Sequence, residues 1–207
     1  LIRRQRQMCI RDRKIVLEGV AGMHLGEEMK GGSIQVYGNA GSWAGAMMHG
    51  GKIEVFGDVG DYTGAAYRGS GRGMRGGEII VHGNASNETG CHMRGGLIKV
   101  YGSVGQFTGM HMRGGTIMVG GETKGRDGAE MTKGKIVILG RVPFLLPTFR
   151  IEAIKPRVKV GEERIEGPFY MFTGDLTENG EGKLYVSKNT NLHLKGFERY
   201  LSPVKVE

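Results

Sequence analysis

A glycine-anchored phrase recurs along this chain with a period of 19 residues, and no other property of the sequence limits its possible folds as strongly. Glycine pairs stand at Gly31-Gly32, Gly50-Gly51, Gly76-Gly77, Gly95-Gly96 and Gly114-Gly115, and a single Gly134 takes the next place. Each is followed by the same apolar pair: Ile34 and Val36, Ile53 and Val55, Ile79 and Val81, Ile98 and Val100, Ile117 and Val119, then Ile136 and Ile138. The spacings are 19, 26, 19, 19 and 20 residues, so one unit alone is much lengthened, by seven residues at a corner around 68–73. A unit this short cannot bury an apolar face by itself, and its apolar residues alternate with period two. Each unit must therefore contribute a strand that stacks on its neighbour. The sequence predicts an all-β, single-stranded parallel β-helix, right-handed as the expected hand, with coils about 4.8 Å apart.

Of the 39 glycines, 33 lie between Gly19 and Gly140, a density that needs a steric cause. At a β-helix corner the chain turns through positive φ and stacked coils approach too closely for a Cβ. The ladder Gly26, Gly45, Gly64, Gly90, Gly109 and Gly128 reads as that corner, and these glycines are assigned a structural role. A dinucleotide-binding glycine loop would need a helix after it, and no helical period follows any glycine run.

Residues 1–13 do not belong to the repeat. Subtracting 19 from Ile34, Val36 and Gly45 lands on Ile15, Leu17 and Gly26, but the glycine pair is replaced by Asp12-Arg13. The segment has no initiating Met and no apolar core of a signal peptide, and it resembles translated adapter sequence. The expectation is a foreign leader at 1–13, a repeat domain at 14–141 and a capping or docking extension at 142–207. The leader holds half of the chain's formal net charge of +8, leaving a mildly basic remainder without an aromatic-basic nucleic-acid motif. No apolar run is long enough for a membrane-spanning helix. With only Cys9 and Cys91, and six histidines lacking metal-binding spacing, no metal site or iron–sulfur cluster is expected within the chain.

Stacking in register makes residues 19 apart into neighbours, so the sequence can be read in columns. Met29, Met48, Met74, Met93, Met112 and Met131 are expected to point inward. The next column, Lys30, His49, Arg75, Arg94, Arg113 and Lys133, forms a basic ridge. Such a column persists most easily against something acidic: local Glu27, Glu28 and Asp127, a partner subunit, or an extended polyanion. Tyr37, Phe56, His82 and Tyr101 should stack as an aromatic column; Trp43, Tyr62, Glu88 and Phe107 form another, either core edge or interface. After Gly140, the segment 142–149 with Pro143 and Pro147 is expected to cap the open end. Strands are predicted at 151–160, 168–173 and 183–187, the last two as a hairpin, in what reads as a docking arm.

The recurring G-G-x-I-x-V-x-G phrase, with its corner glycine and Met-basic pair, resembles the G-x-G-x-G repeat domain shared by the glutamate synthase large subunit and by the repeat-bearing subunit of formylmethanofuran dehydrogenase. Phrases such as Gly90-Cys-His-Met-Arg-Gly-Gly96 favour the dehydrogenase family. The resemblance implies a non-catalytic structural subunit of a cytoplasmic complex that reduces CO2 to formyl-methanofuran, the first step of hydrogenotrophic methanogenesis. Its tungsten or molybdenum pterin, iron–sulfur clusters and binuclear metal site would lie in the other subunits, with no cofactor and no catalytic residue in this chain. A related subunit serves a formyltransferase/hydrolase complex in C1 oxidation, which is the alternative. Because the family coenzyme, methanofuran, carries glutamyl carboxylates, Arg75, Arg94 and Arg113 are candidates to attract that tail. A β-helix polysaccharide lyase or hydrolase would need a recurring carboxylate column, and Glu54, Asp58, Asp61 and Glu78 make none; a hexapeptide acyltransferase would need a six-residue period. A free binding module is the remaining reading.

Overall fold

The computed structural model describes residues 13–201, so the leader expected at 1–13 falls almost wholly outside the described residues. Seven short strands, β1 (Lys14–Glu18), β2 (Ser33–Tyr37), β3 (Lys52–Val55), β4 (Glu78–Val81), β5 (Arg94–Val100), β6 (Arg113–Val119) and β7 (Lys133–Ile138), follow one another along the chain. Each pairs in parallel with the next. The register places Ile34 opposite Ile53, Ile53 opposite Ile79 and Ile79 opposite Ile98, so the coils stack with the predicted offset. The fold is a parallel β-solenoid of about seven turns.

The interior is built from the two branched columns of Ile-x-Val and from the methionines, all fully buried from Met48 to Met131. The second glycine of each pair makes room for them. At Gly96, with φ +89°, a Cβ would lie 2.7 Å from Met74 Cε and 2.9 Å from the Gly77 carbonyl oxygen. A corner ladder of Ala21, Ala40, Val59 and Ala85 closes a second side. At the third side the chain alternates through left-handed residues, as at Phe107, Gly109 and His111. The corner glycines Gly45, Gly64, Gly90 and Gly109 all have positive φ, and a Cβ on any of them would collide with a core isoleucine methyl.

Asx side chains fasten the coils along one outer edge. The Asn39 carboxamide accepts from the Asp58 amide (2.9 Å), Asp58 accepts from the Asn84 amide (2.7 Å), and Asn84 accepts from the Ser103 amide (2.9 Å). These residues stand one coil apart in the sequence, a polar counterpart of the isoleucine column.

The extension completes the core. Three further strands follow, β8 (Arg150–Val160), β9 (Glu163–Gly174) and β10 (Gly182–Ser187), giving the sheet order β1-β2-β3-β4-β5-β6-β7-β10-β9-β8. The final strand β10 adds a parallel rung on β7, with Leu184 over Ile136 and Val186 over Ile138. Phe149 and Val142 are buried in the core at that end, and Leu145 and Leu146 pack against it. The hairpin of β9 and β10 is antiparallel as expected, but β9 starts five residues before the predicted 168 and pairs with β8 as well. Gly161, at φ +58°, opens the two-residue turn that makes this second hairpin possible.

Instead of projecting as an arm, the β8–β9 hairpin folds over the solenoid's outer face. Two bulges in the pairing bend it. Val158, Val160 and Phe169 bury Met118 and Val137, whose side chains leave the solenoid sheet on the side away from its core. Lys99 lies beneath the turn at 5% exposure, and its Nζ reaches Glu163 Oε1 at 2.8 Å. Burial alone would lower this ammonium's pKa, yet its bond to the Glu163 carboxylate holds it above the ordinary lysine value. Glu163→Gln should loosen the hairpin by about 1–2 kcal/mol because it leaves a buried cation without its anion, whereas Lys99→Met should be neutral or stabilising. Chemical unfolding of both variants checks this.

Candidate functional site

The ridge begins where each coil enters its strand. Backbone amides fix its register: His49 donates to the Met29 carbonyl, Arg75 to Met48, Arg94 to Met74 and Arg113 to Met93, each at 2.8 Å. Because the preceding methionine points inward, the next side chain must point outward, and Lys30, His49, Arg75, Arg94, Arg113 and Lys133 are all exposed. Arg94 Nε donates to the Gly71 carbonyl at 3.1 Å, which ties the ridge to the lengthened corner.

None of the six forms an ion pair among the described residues. The local carboxylates expected to balance them do not reach. Glu27 Oε2 is 3.3 Å from His24 Nδ1, and Asp127 is buried facing the other way. The reason is the alternation at the corner, which sends Asp127 inward one residue before Gly128. The imidazoles of His92 and His111 stack beside the ridge at 4.4 Å, and His111 Nδ1 is 3.2 Å from Glu130 Oε2. Partial burial lowers the His92 pKa, helped by the positive groups at His111, Arg113 and Arg94.

At the other end of the strands, Tyr37, Phe56, His82 and Tyr101 form a continuous outward stack with centroid separations of 4.6, 4.6 and 5.4 Å. Tyr37 is 53% exposed and Tyr101 48%, so the column is a surface strip. The other column stands half-buried at the glycine corner: Trp43 stacks on Tyr62 at 4.2 Å, and Arg126 lies 5.1 Å over Phe107. The lengthened corner adds Tyr67, whose hydroxyl is 2.7 Å from His24 Nδ1.

Sequence reading missed one buried polar column. Thr63, Thr89, Thr108 and Asp127 all lie inside the corner just before its glycine. Thr123 Oγ1 donates to Asp127 Oδ2 at 2.6 Å, while Oδ1 lacks a partner. Burial pushes the Asp127 carboxyl from 3.8 up to about 6. The folded state thus holds its proton more tightly than the unfolded chain does. Stability is greatest below about pH 4 for this group and falls as pH rises towards 6. Asp127→Asn should therefore stabilise the protein at pH 7.5 by roughly 1–3 kcal/mol and have little effect at pH 4. Thermal melts at the two pH values test it.

No group of three or more His, Cys, Asp or Glu among the described residues could hold a metal ion. Cys91, the one cysteine among the described residues, is buried, which pushes its thiol up to about 12 and keeps it protonated. No helix among the described residues is long and apolar enough to cross a membrane.

The fold and its faces define a stacked β-solenoid whose distinguishing features are outward ladders, the class of protein that presents long regular surfaces to other molecules. Neither a protein-family model nor a curated protein sequence matches the chain. Among solved structures it is similar to a chain of the formyltransferase/hydrolase complex (FhcABCD) from Methylorubrum extorquens in complex with methylofuran. That likeness has a TM-score of 0.74 and 31% sequence identity, and covers 84% of this chain and 70% of the other. The chain belongs to the family of β-solenoid subunits that this complex contains.

Proposed function

We propose that the chain is the structural subunit of an enzyme complex of one-carbon metabolism, of the formyltransferase/hydrolase kind, whose substrate is a formyl group carried on a furan coenzyme such as methylofuran. The observation that carries this reading is the 31% identity to the solved complex over most of this chain. It favours the alternative drawn from the sequence over the CO2-reducing dehydrogenase, which shares the repeat. In this reading the solenoid contributes surface, and its partners contribute the coenzyme, the metals and the chemistry. A buried thiol held protonated and outward columns of cations and aromatic rings suit that division.

The assembly recovered with a tagged chain should release formate from a formyl-furan coenzyme without any electron donor, and should carry neither tungsten nor molybdenum. An assembly containing either metal that forms the formyl-coenzyme from CO2 with a low-potential donor would replace this reading with the dehydrogenase.

A further inference from the structure

Five lysines and arginines and one histidine stand in a single column, all exposed and none in an ion pair among the described residues. Other cations, such as Arg141 and Arg157, are also without an ion pair among the described residues, so what sets the ridge apart is its alignment. The ridge residues stand beside one another, about 4.8 Å apart on the coil spacing, where two like charges repel by roughly 1 kcal/mol even in water.

The surface beside the ridge is equally specific. Each ridge residue is followed by glycine, two of them in every coil from Gly31-Gly32 to Gly114-Gly115, so a strip without side chains runs parallel to the cations. These glycines are required by the stacking itself: a Cβ on Gly50 would lie 2.8 Å from the Lys30 carbonyl oxygen. The far side of the strip is the column of Ser33, Lys52, Glu78, Leu97, Thr116 and Lys135. There the turn of the β8–β9 hairpin rests on Leu97, and Lys135 Nζ donates to the Lys159 carbonyl at 2.7 Å. Two glycines separate the columns, the second at positive φ as at Gly77 (+90°), so the strip is narrower than the roughly 10 Å of three extended steps and can seat one face of an α-helix and not its whole width.

The axial spacing selects the same element. A helix running along the solenoid axis repeats about every 5.4 Å, within about 0.6 Å of the coil rise, so over the whole ridge the mismatch reaches only about 3 Å. A strand laid the same way repeats its same-face side chains every 6.6–6.8 Å or so and would be out of step by about 9 Å. Long arginine and lysine stems can absorb the first discrepancy but not the second.

Building on the subunit reading above, we propose that the glycine strip is a docking groove for an α-helix of a partner subunit, lying along the solenoid axis with one carboxylate per turn facing the Lys30-to-Lys133 ridge. The stacking of the coils creates both the floor and the charge column, so the groove is as rigid as the core beneath it.

Two measurements on the native complex decide the matter. In the first, Arg75→Glu, Arg94→Glu and Arg113→Glu are combined in the tagged full chain. Recovery of one partner should fall roughly tenfold or more at physiological salt, with the chain's melting temperature unchanged. In the second, Arg94→Lys and Arg113→Lys permit carbodiimide coupling of ridge amines to neighbouring carboxylates. Cross-links should fall on one partner segment, on acidic residues three or four apart. Carboxylates spaced by two would show an extended segment and overturn the helix. Coupling to the coenzyme alone, with partner recovery intact, would assign the ridge to the coenzyme and overturn the protein partner. Full recovery of every partner by the triple variant would overturn the docking surface and leave the subunit reading standing. A wild-type chain that recovers no partner removes both.

Discussion

Gly96→Ala lowers the stability of the solenoid by about 2–5 kcal/mol, whereas Gly22→Ala leaves it nearly unchanged. Both glycines sit in the same repeat architecture, and both changes add one methyl group. At Gly96 the backbone has φ +89°, costing an L-residue about 1–2 kcal/mol, and the new Cβ meets Met74 Cε at 2.7 Å and the Gly77 carbonyl oxygen at 2.9 Å. The thioether can shift, but the carbonyl belongs to the coil below and is held by the parallel ladder. Relief therefore requires separating two coils and weakening the Glu78-to-Leu97 end of the β4–β5 pairing. Gly22 has no atom within 4 Å of its prospective Cβ and no positive φ. For a domain of this size the Gly96→Ala loss corresponds to a fall on the order of 10 °C in melting temperature. Equal melting of the two variants would mean that the glycine ladder is not a steric requirement.

Asn191→Ala should cost about as much, roughly 2–4 kcal/mol, through polar rather than steric means. Just past β10, the rung that the extension adds to the stack, this carboxamide is fully buried. Its Oδ1 accepts from the Val142 amide at 2.8 Å, and its Nδ2 donates to the Gly140 and Ser187 carbonyls at 2.9 Å each. Truncation strands the Val142 amide, at about 1–3 kcal/mol for a buried group without a partner, and leaves the Gly140 and Ser187 carbonyls sharing the Thr190 hydroxyl at 3.1 and 3.4 Å. Asn191→Asp is the sharper test, because it preserves shape and acceptor but replaces the donor with oxygen facing two carbonyls. It should destabilise at least as much as Asn191→Ala at pH 7, and part of that loss should return at pH 4, where a protonated carboxyl regains a donor. Hydrogen exchange of the Val142 amide would report the local opening.

The solenoid was legible because its forces repeat. One coil's requirement for Ile34, Val36 and Gly45 is the next coil's requirement for Ile53, Val55 and Gly64, so sequence periodicity directly mirrors stacking. The inward methionines and the outward aromatic strip follow from the same alternation. Contacts made once leave no period. Nothing near Lys99 signals that Glu163, on a hairpin 64 residues later, will cover it. The β8–β9 turn was hidden because the stretch after Gly161, Glu162-Glu-Arg-Ile-Glu166, is mostly polar and gives little apolar contrast. Asn191 ties the turn after β10 to Gly140 and Val142, a contact made once. The Asx ladder through Asn39, Asp58 and Asn84 did repeat, and reading polar columns as closely as apolar ones would have found it.

The basic ridge shows the limit of column reading from the other direction. Its members were placed by spacing alone, but whether local carboxylates neutralised them depended on which way Asp127 turned. With Asp127 buried beside Thr123, no carboxylate among the described residues forms an ion pair with the ridge.

The central claim is that the solenoid lives in an assembly, and the decisive measurement is native affinity purification of the tagged chain followed by mass spectrometry and sizing. The expected result is a large, stoichiometric complex whose other subunits carry formyl-transfer and hydrolase activity and the furan coenzyme. A stable, solitary chain eluting at monomer size, with no co-purifying subunit, would contradict it.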